Sequence, residues 1–312
     1  MIPIMPTILE HAAFLINQTP SAAAKDAVIM AEAHIAAQRL YKTGAITVGM
    51  DIYNIEAEAL GCEIRFYDDA SIPGILTHPL TLDDSPQLIK FSTKIGRIQL
   101  LFDAAGIIKN ADSGDVKINI GICGPFSILM ELLGYEAAVH AIIDEDPRVF
   151  ALLDALLAFQ KDYCSAITNM GLGVAVFESW ASPPLISPDV YRKYAFPYEK
   201  ALLAHMEELG MTARPLIIGG DTRSILDCIL KTGTTLLVSD YNTPLDLYIE
   251  KAGGITVRAN IDPKQIQRGA WPEITARINE IRSVNYPNLV IGTGVVPYDT
   301  PPENLLRIIA ML

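Results

Sequence analysis

Acidic side chains stand at the ends of several short apolar runs in this 312-residue sequence. A carboxyl group that lies against an apolar wall has a raised pKa and can serve as a proton donor. We therefore predict catalytic roles for Asp51, Glu178 and Asp221. For an aspartate, capping of the following helix is an equally good interpretation. Glu178 differs, because the next predicted helix starts nine residues later, at Ser187 and Pro188, and Glu178 cannot cap it.

Further polar and aromatic side chains close to the same run ends are predicted to bind a substrate. Carboxylate and amide groups orient a ligand, and aromatic rings flank an aromatic or cationic one. Packing within loops is an equally good interpretation for the aromatic residues at 180, 241 and 298. The predicted binding residues are Tyr53, Asn54, Trp180, Asp240, Tyr241, Asn260 and Tyr298.

The histidines and cysteines form no recognisable metal or nucleophile motif. The five histidines, at 11, 34, 78, 140 and 205, have neither HxxxH nor HxC spacing, and no GxSxG elbow is present. We therefore predict no metal ligand and no tightly bound cofactor. The four cysteines are well separated and include no CxxC pair, a pattern typical of reduced thiols in a cytoplasmic protein.

The elements that must position these residues are short apolar runs that alternate with helical stretches. The runs are continuous rather than alternating, which indicates strands buried on both faces of a parallel sheet. No GxGxxG or GxxxxGK[ST] motif follows the first run. The sequence therefore lacks the motifs that would favour a nucleotide-binding open sheet over a barrel. The predicted strands lie in residues 45–51, 116–124, 173–179, 214–221, 235–241, 255–262 and 289–294, with 62–68 as a weaker eighth candidate.

This rhythm predicts one α/β domain over residues 1–312, a single (β/α)8 TIM barrel with an N-terminal helical extension. We assign residues 1–44 to the helical segment and 45–312 to the barrel. Within the segment, residues 22–41 are good helix formers, Ser21 is the predicted N-cap and Gly44 ends the helix. The less regular stretch 68–115 is expected beside the barrel mouth.

Composition excludes several classes of function. The sequence has 24 basic and 36 acidic residues and a net charge of −12, so nucleic acid and anionic membranes are unsuitable partners. No apolar run reaches the length of a membrane span, and the N-terminus lacks the basic leader of a signal peptide. We therefore expect a cytoplasmic globular protein.

Several segments together resemble the uroporphyrinogen decarboxylase superfamily, in the order expected of that family. The resemblance runs over nearly the whole chain and implies a single barrel with a deep cleft. The segments are YNIEAEALGCEIRF (53–66), GICGPFSILMELLG (121–134), ESWASPPLISPDVYRKYAFPYEKALL (178–203), RPLIIGGDTRSIL (214–226), VRANIDPKQIQRG (257–269) and VIGTGVVPYDTPPENLLRII (290–309).

The sequence departs from the decarboxylase branch of that superfamily. True decarboxylases carry an arginine-rich segment near the N-terminus that binds substrate carboxylates, whereas residues 1–20 contain no arginine. Asp51 matches the family's central aspartate, which contacts the pyrrole nitrogens. The family's active-site tyrosine falls near Leu132, and Tyr135 is out of register.

The segments AEALGC, ANIDP and the TP-x-EN ending are more similar to the corrinoid-dependent methyltransferase branch, which includes methylcobalamin:coenzyme M enzymes. Those enzymes hold zinc through an HxC pair and a distant cysteine, and the zinc activates a thiol. The three positions here are Ile217, Gly219 and Val295, none of which has a side-chain donor. The resemblance therefore implies a methyltransferase without that zinc site.

The leading hypothesis is an enzyme that moves a methyl group between a small methylated substrate and a corrinoid (B12-binding) partner protein. The methylcorrinoid would be supplied by that partner. Glu178 or Asp221 would deliver the proton to the leaving atom, with Asp51 and Asp240 orienting the substrate. A porphyrin-type decarboxylase and a non-catalytic ligand-binding barrel are the alternatives.

Overall fold

Eight parallel strands form a barrel in this computed structural model, which describes residues 2–111, 114 and 116–312. They are arranged in two four-stranded sheets, ordered β2-β5-β6-β7 and β8-β9-β10-β1. A bridge between Pro215 and Leu236 joins β7 to β8. The barrel strands are β1 (Ile4–Thr7), β2 (Ala45–Val48), β5 (Lys117–Cys123), β6 (Gly173–Phe177), β7 (Leu216–Ile217), β8 (Leu236–Ser239), β9 (Thr256–Ile261) and β10 (Leu289–Val295). The short strands β3 (Ile64–Arg65) and β4 (Gly74–Ile75) form a separate antiparallel pair.

Helices follow the strands and cover the outside of the barrel. Those before β5 are α1 (Glu10–Leu15), α2 (Pro20–Lys25), α3 (Ala27–Tyr41), α4 (Ile55–Ala59) and α5 (Ile98–Ala111). Those between β5 and β7 are α6 (Pro125–Leu133), α7 (Tyr135–Ile143), α8 (Arg148–Asn169), α9 (Pro188–Val190) and α10 (Phe196–Glu208). The remainder are α11 (Leu226–Leu230), α12 (Asp246–Ile249), α13 (Pro263–Arg268), α14 (Trp271–Ser283) and α15 (Pro302–Met311).

The seven principal strand predictions are confirmed, but the eighth barrel strand is not the predicted one. Residues 62–68 contribute only β3, whose partner is β4. The eighth strand is β1, inside the segment assigned to helices, and it pairs with β10. The boundary at residue 45 was therefore wrong. Pro3 and Pro6 make the sequence around β1 look unlike a strand, because proline has no N–H to donate. They are tolerated because β1 is hydrogen-bonded to a neighbouring strand along one edge only.

The predicted helix over residues 22–41 is divided into α2 and α3. Asp26 has extended backbone angles, and its Oδ1 accepts hydrogen bonds from the N–H groups of Val28 and Ile29, so it is the N-cap of α3. Ser21 is not a cap, because it lies inside α2, whose N-cap is Thr19 with its Oγ1 accepting a hydrogen bond from the Ala22 N–H at 3.1 Å. The Ser21 Oγ instead accepts a hydrogen bond from the Tyr67 N–H at 2.8 Å. An aspartate inside a helical composition is therefore the local signal for this break.

A small apolar cluster lies across the carboxyl end of the barrel, separate from the main core. Most of its members end a strand or follow one closely, so they come from opposite sides of the barrel. We call this group the axial cluster. Its members are Leu9, Ile52, Ala175 and Phe177, with Tyr53, Ile217 and Val295 packed against them.

In the described part of the chain no single helix is long and apolar enough to cross a membrane. The bent pair α6 and α7, with 111° between its two helices, meets the length and composition requirement only when taken together.

Candidate functional site

The carboxyl end of the barrel is the candidate site, because parallel strands deliver their end residues to this one face. All three predicted catalytic acids follow strand ends there. The structure nevertheless holds each of them in a different environment, and it does not bring the three carboxylates together as one group.

Asp51 follows β2, and its carboxylate forms a buried ion pair with Arg97. Arg97 donates from Nη1 and Nη2 to the two carboxylate oxygens at 2.9 and 2.7 Å. Asn54 adds a hydrogen bond from Nδ2 to Oδ2 at 3.0 Å. Asp51 is 4% exposed and Asn54 is 7% exposed. Both predicted residues therefore belong to a satisfied network that fixes the loop after β2, with few acceptor positions left for a ligand.

Glu178 caps a helix that the sequence argument did not consider. Its Oε1 and Oε2 accept hydrogen bonds from the N–H groups of Phe126 and Ser127, at 3.0 and 2.9 Å, in the first turn of α6. Burial raises the pKa of Glu178 to about 7, against the lowering effect of these hydrogen bonds. The side chain is fully buried. The carboxylate thus anchors α6, a helix about 50 residues upstream rather than the next one along.

A second buried carboxyl group lies beside Glu178. The pKa of Glu199 on α10 is raised well above its usual value by burial and by the charge of Glu178. Its Oε2 accepts a hydrogen bond from the Tyr191 hydroxyl, and its Oε1 has no partner among the described atoms. Sequence reasoning missed this residue, because nothing local marks a helical glutamate as buried.

Asp221 and Asp240 lie in more open surroundings. Asp221 forms an exposed ion pair in which Arg223 Nε donates to Oδ1 at 2.8 Å, and Arg223 lowers the pKa of the aspartate. Asp240 accepts a hydrogen bond from the N–H of Asn242, two residues along the same loop. Both aspartates therefore make contacts within their own loops, as expected of residues that cap or fix a turn.

Tyr53 packs against the axial cluster, whereas Trp180 packs against the main core. The Tyr53 ring packs edge-on against Phe177, and its hydroxyl oxygen accepts a hydrogen bond from Ser179 Oγ at 2.7 Å. Burial raises the pKa of Tyr53 to about 12. The Trp180 ring N–H donates to Glu131 Oε1 at 2.7 Å. The two rings are thus held by hydrogen bonds as well as by packing.

The other two predicted aromatic residues have different surroundings. Tyr241 is 39% exposed, in the loop after β8. Tyr298 donates a hydrogen bond to the carbonyl of Gln18 and packs edge-on against Phe14. Its contacts are therefore those of a residue that fixes the N-terminal helices against the loop after β10.

Asn260 faces the barrel interior together with a residue that sequence reasoning missed. Asn260 is 7% exposed, and its Oδ1 has no hydrogen-bond partner among the described residues. Arg258, two positions earlier on β9, is equally buried. The available signal was a basic residue inside the apolar run ITVRANID. It is two positions before Asn260, so both side chains point to the same face of the strand.

The positions that the resemblance assigns to zinc ligands do not fit a metal ion. Ile217 and Val295 both pack against the axial cluster, so the two positions share one apolar surface. Gly219 offers only its carbonyl, which accepts a hydrogen bond from Ser182 Oγ. In the ranges that the structure describes, no group of three or more His, Cys, Asp or Glu side chains is placed to hold a metal.

Comparisons with known proteins agree with the barrel and with the resemblance. Methylcobamide:CoM methyltransferase MtbA of Methanosarcina mazei is 28% identical over 290 residues, 89% of this chain and 85% of that protein. The same enzyme of Methanosarcina acetivorans is 29% identical over the same shares. A uroporphyrinogen decarboxylase of Salinispora tropica is 29% identical over 62% of this chain and 54% of its own length.

A solved structure, a methyltransferase from Methanosarcina mazei, has the same fold, with a TM-score of 0.86 at 22% identity. The match covers 99% of this chain and 92% of that one. The family model described as uroporphyrinogen decarboxylase (URO-D) matches residues 1–312. This chain therefore belongs to the uroporphyrinogen decarboxylase (URO-D) family.

Proposed function

We propose that this protein is a methyltransferase that moves a methyl group between a small methylated substrate and a corrinoid-carrying partner protein, without a zinc ion at positions 217, 219 and 295. One observation carries the proposal: Ile217 and Val295 meet on the axial cluster. The place where the resemblance puts a zinc-activated thiol is here an apolar surface. Such a surface suits a methyl group and offers nothing to a thiolate.

The extent of the similarities supports methyl transfer over decarboxylation. The two methyltransferase relatives are 28% and 29% identical over 89% of this chain, whereas decarboxylases that match 81% and 83% of it are 23% and 22% identical. Asp51 adds a physical reason. Arg97 and Asn54 already donate three hydrogen bonds to its carboxylate, which leaves about one acceptor position for the several pyrrole nitrogens of a porphyrin-type substrate.

We assign the hydrogen bond to the leaving atom to Tyr53 rather than to Glu178 or Asp221. The Tyr53 oxygen accepts from Ser179, which leaves the phenolic hydrogen available to a ligand on the axial cluster. With a pKa of about 12, Tyr53 keeps this hydrogen at neutral pH. Glu178 is committed to the first turn of α6. Its role in this proposal is to position that helix and, through it, Trp180.

The corrinoid would be held by the partner protein and would take up or supply the methyl group. This chain's own residues would bind the substrate, exclude water and donate the hydrogen bond. The axial cluster would exclude water from below the methyl group. Tyr53, which packs against the axial cluster, would form one side wall of the substrate position.

The test is methyl transfer to reduced free cobalamin from a panel of methoxylated aromatics and methylamines, followed by the absorbance of methylcobalamin. We expect transfer from at least one donor, and at least a ~10-fold loss in Tyr53→Phe, since a positioned proton donor contributes about 100-fold or more. The matched control is Tyr241→Phe. Uroporphyrinogen turnover, or no transfer from any donor, would refute the proposal.

A separate experiment tests the zinc-free site. After dialysis the protein should contain well under one zinc per chain. The triple variant Ile217→His, Gly219→Cys, Val295→Cys should bind about one zinc if the three positions meet as the resemblance implies. Stoichiometric zinc in the unaltered protein would contradict the first expectation.

A further inference from the structure

A partly open cavity of about 340 Å³ reaches from the inner wall of the barrel to the seam between β1 and β2. In the described ranges these two strands share no ladder pairing, so the seam is an opening in the barrel wall. Ala175, Phe177 and Ile217 line the cavity and also belong to the axial cluster. The cluster therefore forms the wall of the cavity nearest the carboxyl end, and Arg258 projects into the same space.

Arg258 is the exception among the buried arginines of the described chain. Arg97 and Arg277 are comparably buried, and both have acidic partners, Asp51 for the first and Glu280 for the second. Arg258 is 7% exposed and forms no ion pair with any described residue. Its Nε likewise has no hydrogen-bond partner there. An uncompensated guanidinium inside a barrel is costly, and cores retain such groups only with a counter-charge.

The neighbouring strand makes room for this side chain. Gly292 on β10 pairs with Asn260 in the strand register. A Cβ at Gly292 would lie 2.4 Å from Arg258 Cγ and 2.4 Å from Asn260 Oδ1. The arginine stem and the asparagine amide thus lie side by side over a glycine. The asparagine amide is a second polar group in this position without a protein partner for its oxygen.

The pKa of Arg258 decides whether this side chain carries a charge that an anionic ligand could pair with. Burial lowers the pKa of Arg258 to about 10, and the neighbouring Tyr53 opposes that effect only in part. The guanidinium is therefore still protonated at neutral pH. A carboxylate would match it best, because guanidinium and carboxylate form two parallel hydrogen bonds.

We propose that Arg258 receives the carboxylate of a small organic acid whose apolar body lies against Ala175, Phe177 and Ile217. The cavity supplies the apolar wall and the guanidinium supplies the polar end, the combination typical of small-molecule sites. This site does not depend on methyl transfer, so its failure and the failure of the proposed function are separate results.

The experiment measures thermal unfolding with acetate, benzoate and phenylacetate, each against its neutral amide, and with sulfate as an inorganic anion. We expect at least one organic acid to raise the melting temperature of the unaltered protein saturably, by several degrees, since a ligand of the native state stabilises it by mass action. Its amide should have no such effect. Equal shifts by acid and amide, a shift by sulfate alone, or no shift by any acid would overturn the proposal.

Two variants and a control extend the test. Arg258→Met should abolish the acid-dependent shift and, without ligand, melt at least as high as the unaltered protein. Arg258→Lys keeps the charge but not the paired donors, and should weaken binding of the acid about 10-fold or more. Arg39→Met removes an exposed arginine and should leave binding unchanged. Retained binding in Arg258→Met, or a lower melting temperature of that variant without ligand, would assign Arg258 a structural role instead.

Discussion

Replacing Glu178 by alanine should destabilise the protein by about 2–6 kcal/mol. The substitution leaves the N–H groups of Phe126 and Ser127 buried without an acceptor. Each such group costs roughly 1–3 kcal/mol, and two are affected. Unfolding entropy of about 2.1 cal/mol/K per residue over 312 residues converts this loss to a fall of about 3–9 °C in melting temperature.

The loss should also be visible at Trp180, because its backbone N–H donates to Ser127 Oγ in the same turn of α6. Fluorescence in a Trp271→Phe background isolates this ring, since the chain has two tryptophans. We expect a red-shifted emission in Glu178→Ala before global unfolding. Glu207→Ala, an exposed glutamate on α10, is the control and should shift stability by less than about 1 kcal/mol. Unfolding of Glu178→Ala within about 0.5 kcal/mol of the control would show that this carboxylate is not the cap.

Two further substitutions probe the buried charges. Burial raises the pKa of Glu56 to about 7, so its contribution to stability is full below pH 4.5 and is lost as pH rises through 7. The rise in pKa from 4.5 to about 7 is worth about 3 kcal/mol at about 1.36 kcal/mol per pKa unit. Glu56→Gln should remove this loss of stability between pH 4.5 and 8, measured by urea titrations at both pH values. An unchanged dependence of stability on pH would contradict this. Arg97→Met should lower the free energy of unfolding by about 3–5 kcal/mol, because it leaves the buried carboxylate of Asp51 without a counter-charge. Adding Asp51→Asn should recover part of that loss. Full stability of the single variant would show that the pair is dispensable.

The barrel was predictable from sequence because its strands are buried on both faces. Short continuous apolar runs such as those in β6 and β8, each followed by a helical stretch, are typical of such strands. The strand β1 was missed, since four residues with a proline among them carry almost no periodicity. Its assignment depends on β10, almost 300 residues away, and no local pattern contains that partner.

The candidate site was predictable only as a set of strand ends. Which helix Glu178 caps depends on how α6 packs beside β6, and the order of residues along the chain indicates only the helix that follows. Arg97 lies in the irregular stretch after β4, so its pairing with Asp51 had no local signal. Arg258 did have a local signal, because it is a single basic residue in a buried strand. The predicted site residues included only acidic, amide and aromatic side chains near the strand ends.

The pairing of β1 with β10 has a consequence for biosynthesis. The N–H of Thr7 donates to Thr293 Oγ1 across 286 residues of sequence. At roughly 5–20 residues per second on the ribosome, β1 waits about 15–60 s for its partner strand. During that time the half-barrel of β2, β5, β6 and β7 can assemble, while β1 stays unpaired beside it. A circularly permuted chain that starts at Thr43 and carries β1 behind α15 would shorten that delay, and should reach the native barrel with less exposure to chaperones or aggregation.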